Sequence, residues 1–178
     1  MITMDRLGFI HEKLDIKILI LFVLRRLTGF VEPEILLELC QCDGGVGYFD
    51  YSDCLAELVE LGHIEEGENG YKITEKGSRN AEAVESSLPY SVRSKALKLI
   101  APVEANQRRM AMIKTEHEVG SDGCIVSLAV SDGQGNIIDL KILCADEKQA
   151  KVMEGNFRRE AEAYYQRIVD MLSEDNRK

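Results

Sequence analysis

Apolar side chains at Leu14, Ile18, Leu21, Phe22, Leu24 and Leu27 follow helical spacing, and Gly29 ends the run. Its centre, IKILILFVL at residues 16–24, holds a lysine and is followed by two arginines. Nine residues with a charge inside predict a buried helix, not a membrane span. Pro33 stands at a first-turn position, where its missing N–H costs nothing, and opens PEILLELC as a second helix. CDGGVG, residues 42–47, reads as a turn. YFDYSDCLAELVEL reads as a third helix that Gly62 stops. HIEE and GYKIT then alternate apolar and polar, so Ile64, Tyr71 and Ile73 point inward around a loop at 67–70. TEKGSRNAEAVESSL starts on a threonine cap and runs helically to Pro89.

Beyond Pro89 the pattern lengthens. Val92, Ala96, Leu99, Val103, Asn106, Met110 and Ile113 recur at intervals of 4, 3, 4, 3, 4 and 3, a heptad seam with one asparagine in it. The seam predicts a connecting helix over 89–114 that dimerises through Val92, Leu99, Val103, Asn106 and Met110. Pro102 complicates it, so a helix packed along its own domain, or two helices meeting at Pro102, are the alternatives.

KTEHEV, GCIVSLAVS and NIIDLKILCA read as three strands, the last two joined by the glycine-bearing loop DGQGN. Pairing Ser131 with Ile137 sets Val130 opposite Ile138, Leu128 opposite Leu140, Val126 opposite Ile142 and Cys124 opposite Cys144. That apolar face needs a cover. Two helical stretches, DEKQAKVMEGNF and EAEAYYQRIVDML, offer Ala150, Met153, Phe157, Tyr164, Ile168 and Leu172. The fold class is therefore α+β: a helical domain with a hairpin at 1–88, the connecting helix at 89–114, and a small β-β-β-α-α unit at 115–178.

The order helix, helix, helix, hairpin, helix is that of winged helix-turn-helix proteins. The pattern LxxLGxI…YxITxKG, carried by Leu58, Leu61, Gly62, Ile64, Tyr71, Ile73, Thr74 and Gly77, resembles the wing of PadR- and MarR-type bacterial transcription regulators. Through CDGGVGYFDYSDCLAELVELGHIE and ESSLPYSVR, the whole chain resembles a bacterial domain-of-unknown-function family of short winged-helix proteins. The resemblance implies an architecture and a role in gene regulation. It implies no operator and no ligand.

Charge changes that picture. Residues 1–88 hold 8 Lys/Arg against 17 Asp/Glu, whereas residues 89–178 hold 14 of each, so the net charge of −9 belongs to the first half. Placing Tyr51, Cys54, Leu55, Leu58 and Gly62 inward leaves Phe49, Asp53, Ala56, Glu57 and Glu60 outward on the third helix, without one cation. The hairpin tip, EGENG, is acidic too. The groove-reading helix and phosphate-touching wing of known DNA binders therefore do not carry over residue by residue. The expected DNA contacts are instead Tyr48, Ser52 and free N–H groups at the start of the third helix, with the connecting helix's cations Arg93, Lys95, Lys98, Arg108 and Arg109. Tyr48 partly buried beside a capped helix end is the plainer reading of that end. On this basis the chain is expected to be a homodimeric DNA-binding regulator. The alternative is a protein-interaction module whose acidic third helix and Phe49 meet a basic or apolar partner.

Motifs for catalysis are absent. His11, His63 and His117 lie in different elements, HExxH and GxSxG do not occur, and GGVG lacks a following Lys-Ser/Thr. No enzyme activity, metal or cofactor is expected. Cys40, Cys42, Cys54 and His63 have the wrong spacing for zinc. Cys124 opposite Cys144 would suit oxidation sensing, although buried cysteines more commonly act as small apolar groups. Five cysteines and an N-terminus without a leader's apolar stretch point to reduced thiols and a cytoplasmic location, with no membrane partner.

Overall fold

The computed structural model describes residues 9–10, 12–121 and 123–174; residues 1–8, in the N-terminal stretch read for a leader, and His11 lie outside them. The chain falls into two compact units, Met1–Gln107 and Arg108–Lys178. Their division lies inside the long helix expected at 89–114.

In the first unit the described elements run α1 (Lys13–Leu24), α2 (Pro33–Cys40), α3 (Tyr48–Glu60), β1 (Ile64–Gly67), β2 (Gly70–Ile73), α4 (Glu75–Val84), a 3-10 turn at Glu85–Ser87, and the start of α5 (Tyr90–Met112). Helix α1 is the hub. Ile16 and every residue from Ile18 to Leu24 are buried, so helix packs on all its sides. Leu14, placed on the inner face by its spacing, is instead exposed at the first turn.

Around α1 the local signals work as the residue types dictate. Pro33 sits in the first turn of α2. Tyr51, Cys54, Leu55 and Leu58 are the buried side of α3. Gly62 does not face the core; it is exposed, with φ +70°, just past the end of α3. His63 N donates to Leu58 O at 2.9 Å and Gly62 N to Val59 O at 2.9 Å, the paired bonds of a glycine C-terminal cap. Thr74 caps α4 by accepting from Gly77 N at 3.1 Å.

Strands β1 and β2 form an antiparallel hairpin with Ile64 opposite Ile73 and Gly67 opposite Gly70. A third piece of chain joins them: between α1 and α2, Val31 N donates to Tyr71 O at 2.8 Å and Tyr71 N to Val31 O at 2.9 Å. This close approach fixes Gly70. Its φ is +111°, and a Cβ there would stand 2.0 Å from Val31 O.

In α5, Pro102 lies within the helix and does not end it. The first unit uses the face Val92, Ala96 and Ile100, all buried, with Val103 packed against the same core. The spacing 4, 4, 3 replaces the heptad seam, because the helix packs along its own unit. Ile113 is not part of this helix; it opens strand β3 and is buried in the second unit.

The second unit holds β3 (Ile113–Gly120), β4 (Gly123–Ser131), β5 (Asn136–Cys144) and α6 (Glu147–Ser173), with the strands antiparallel in the order β3-β4-β5. The four apolar pairs from Cys124–Cys144 to Val130–Ile138 stand opposite one another as their alternation requires. An irregularity between Val130 and Ser131 then pairs Ser131 with Asn136 and not with Ile137.

The two expected C-terminal helices are present as the two parts of α6, which meet in a kink at Glu160, whose φ −131° and ψ 33° are not helical. No proline or glycine stands at that point, so the chain breaks step and resumes. Ala150, Phe157 and Ala161 cover the sheet, joined by Met153 and Tyr164. Leu172 takes no part in the cover: it is 81% exposed.

Gly70→Ala is expected to destabilise the first unit far more than Gly29→Ala. Gly29 also has positive φ, +73°, yet nothing lies within 4 Å of a Cβ there. Its change should cost the left-handed strain alone, about 1–2 kcal/mol. Comparative denaturant melts of the two variants read the difference.

Candidate nucleic-acid interface

The turn into α3 is built on one buried carboxylate. Asp43 is 1% exposed, and its Oδ2 accepts from Phe9 N at 2.8 Å and Ile10 N at 3.0 Å. Gly45 follows because a Cβ would lie 2.1 Å from Ile10 O. The other Asp43 oxygen has no hydrogen bond, and Lys95 Nζ of α5 approaches it at 3.7 Å. Lys95 is thereby held at the turn that leads into α3.

Gly47 precedes the first turn of α3, and no side-chain cap occupies that end. Tyr48 is not partly buried: it is 57% exposed, and Phe49 is 82% exposed, the two rings meeting edge to face with centroids 5.7 Å apart. Ser52 is half-buried one turn on. Two exposed aromatics, a hydroxyl and the Asp50 carboxylate therefore stand in the first turns of a helix whose starting N–H groups carry partial positive charge, with Lys95 on the turn before it.

The outward face of α3 is less acidic than its own residues suggest. Lys13 of α1 pairs with Asp53 at 3.0 Å, and Lys17 of α1 pairs with Glu57. Hydrogen bonding to Lys17 holds the Glu57 carboxyl below its usual range, and hydrogen bonding to Asp53 raises the Lys13 ammonium. Glu57 is half-buried by this contact, not fully outward. These partners lie 40 residues away in sequence. The available signal was the matched spacing: lysines four apart in one helix, carboxylates four apart in the other.

The α5 cations separate into different environments. Arg93 is half-buried, with Nε enclosed and without a hydrogen-bond partner among the described residues. Lys98 is exposed and lines the same cavity as Arg93. Arg108 is exposed and engaged in a contact of its own. Arg109 is structural. Its Nε and Nη2 bond Glu162 at 2.7 and 2.8 Å, and Nη2 also donates to Arg159 O at 2.9 Å. The break at Glu160 sits next to that carbonyl, so Arg109 satisfies a group at the helix break. Among the seam residues, Val92 is wholly buried within the first unit, while Leu99 and Met110 are each 40% exposed and Asn106 is exposed.

Near the hairpin the chemistry reverses. A cavity of about 360 Å³ between α3 and β2 is lined by Ser52, Leu55, Ala56, Val59, Glu60, Glu66 and Tyr71, with two carboxylates and no cation. Tyr71 Oη reaches Glu66 at 3.4 Å. At the base of the hairpin, His63 O accepts from Thr74 N at 3.0 Å, and Asn80 Nδ2 lies 2.8 Å from the His63 ring.

The thiols are buried at different places. Cys40 is fully enclosed, Cys54 Sγ donates to Lys13 O at 3.4 Å, and burial pushes the Cys42 thiol up to about 11. Cys124 and Cys144 face each other across β4 and β5, with Cys144 Sγ donating to Cys124 O at 3.1 Å. Burial raises the Cys124 thiol, which disfavours the reactive thiolate. Among the described residues no helix is long and apolar enough to cross a membrane.

These elements define a mixed α+β protein with a helix-and-hairpin unit and a sheet-and-helix unit. The chain belongs to the family described as "Domain of unknown function (DUF4364)", which matches residues 16–172. No curated protein and no solved structure matches it.

Arg109→Ala is expected to speed amide exchange around residues 159–164, since Arg159 O loses its donor. Burial, and then the Lys76 ammonium, hold His63 below its ordinary 6.5. Just below pH 6.5 the unfolded chain then binds more protons than the folded one, so stability falls as pH drops through that window. An imidazole NMR titration should give a midpoint under 6.5, and Lys76→Ala should move it upward.

Proposed function

We propose that this chain is a winged-helix regulator that binds duplex DNA as a homodimer. One observation carries the winged-helix reading: the Val31–Tyr71 pairing, which adds a bridge from the α1–α2 connection to the hairpin. The order becomes helix, bridge, helix, helix, two strands, and α3 takes the position of a recognition helix. The start of α3 supplies the contact chemistry. Its uncapped N–H groups, Tyr48, Ser52 and Lys95 suit a phosphate. The lysine pairs on Asp53 and Glu57 lower the repulsion a phosphate backbone would meet. The exposed α5 residues Leu99, Asn106 and Met110 are the surface offered to a second copy.

A second reading has its own observation. The α3–hairpin cavity is lined by Glu60 and Glu66 with no cation, and β1 and its loop add Glu65 and Glu68. That surface fits a cationic protein segment better than DNA.

Salt titration of binding to mixed duplex fragments separates the two. DNA binding should weaken with a log–log slope of about −0.9 per neutralised phosphate. Lys95→Glu with Tyr48→Ala should remove the binding, whereas Arg109→Ala should leave it intact. Absence of binding even at low salt would leave the protein-partner reading. Leu99→Asp should shift a dimer to monomer in sedimentation; an unchanged profile would remove α5 as the dimer surface.

A further inference from the structure

Between α1 and the first turns of α5 lies a cavity of about 400 Å³ within the first unit. Phe22, Tyr90 and Leu97 form its apolar lining, Arg26, Arg93 and Lys98 its charged lining, and no carboxylate lines it. The first unit, residues 1–107, holds 18 acids against 11 bases, and three of those bases converge on this cavity.

Two of the three cations lack an anionic partner. Arg93 Nε is buried with no hydrogen-bond partner among the described residues, and Lys98 has no ion pair there. A buried guanidinium donor without an acceptor is costly, so the site is incomplete as it stands. Arg26 is more fully engaged. It stacks over the Phe22 ring at 3.5 Å, donates to Phe22 O at 2.9 Å, and bonds Glu85 at 3.1 Å. Glu85 is shared with Arg25, which also pairs with Glu82 at 3.2 Å, so Arg26 is neutralised and the cavity's unpaired charge is that of Arg93 and Lys98. The cavity volume lies within the roughly 300–1,000 Å³ of small-molecule sites, which are apolar with a few placed polar groups.

We infer that this cavity binds a small organic monocarboxylate, its carboxylate on Arg93 and Lys98 and its apolar body on Phe22, Tyr90 and Leu97. The carboxylate accepts from the orphaned Arg93 donor, and the apolar body removes the exposed Tyr90 and Leu97 surfaces from water. A neutral amide of the same shape would leave the cations unpaired. Acetate would leave the apolar lining exposed. The inference goes beyond the DNA reading and stands apart from it, because none of its contacts belongs to the start of α3.

Calorimetry on the full chain with phenylacetate and hexanoate tests it, with phenylacetamide and acetate as controls. Both long carboxylates should bind, and both controls should bind at least about tenfold more weakly. Arg93→Met and Lys98→Gln should each weaken phenylacetate about tenfold, the size of a charge-assisted hydrogen bond. Lys98 is exposed, so its variant folds even where Arg93→Met does not. Acetate binding as tightly as phenylacetate would overturn the inference, as would unchanged affinity in Lys98→Gln. So would a dimer that Leu97→Asp dissociates, for then a second copy covers the groove.

Discussion

The first unit depends on enclosing α1. A helix with seven consecutive buried residues, Ile18 to Leu24, has no solvated side. Each such side chain contributes about 1.5–3 kcal/mol only if neighbours remove it from water. Helices α2, α3 and α4 and strand β2 all lie against α1 for this reason. The same enclosure brings the polar ends of α1 next to functional elements. Lys13 and Lys17, on its entry turns, reach the acids of α3, while Arg25 and Arg26, at its exit, reach Glu82 and Glu85.

That arrangement gives the acidic half a polarity its composition hides. At one end of α1, lysines neutralise carboxylates and leave the start of α3 to its backbone N–H groups, two aromatics and Lys95. At the other, Glu82 and Glu85 match Arg25 and Arg26, and Arg93 and Lys98 of α5 border Phe22 without a carboxylate partner among the described residues. Acids without a cationic partner among the described residues gather at the hairpin, where Glu60 and Glu66 border one cavity. Net charge therefore says little about which anions approach the unit; the positions of the paired and unpaired groups decide it.

Legibility in the sequence followed the range of the interaction. Elements set by local signals were readable: Pro33 opening α2, Thr74 capping α4, Gly62 stopping α3, and the alternation that registered Cys124 opposite Cys144. The glycine cap of α3 shows the limit of a local reading, since Gly62 serves by its conformation and not by facing the core. Non-local partners were out of reach. The heptad in α5 is a true periodicity, but the first unit's core takes Val92, Ala96 and Ile100, and an internal core outranks an external seam when both claim one helix. Arg109 looked like a free cation because Glu162 is 53 residues away.

The same difference separates the two classes of cation in α5. Arg109 completes hydrogen bonds that the helix break at Glu160 leaves open, so its charge belongs to the fold. Arg93 and Lys98 complete nothing within the described residues, and Arg93 does so at the cost of an enclosed donor. Arg93 is half-buried, but its enclosed Nε carries a desolvation cost that an apolar side chain of similar volume would avoid. An acceptor from outside the chain would satisfy that donor, and the walls of Phe22 and Leu97 suit one that carries an apolar body of its own.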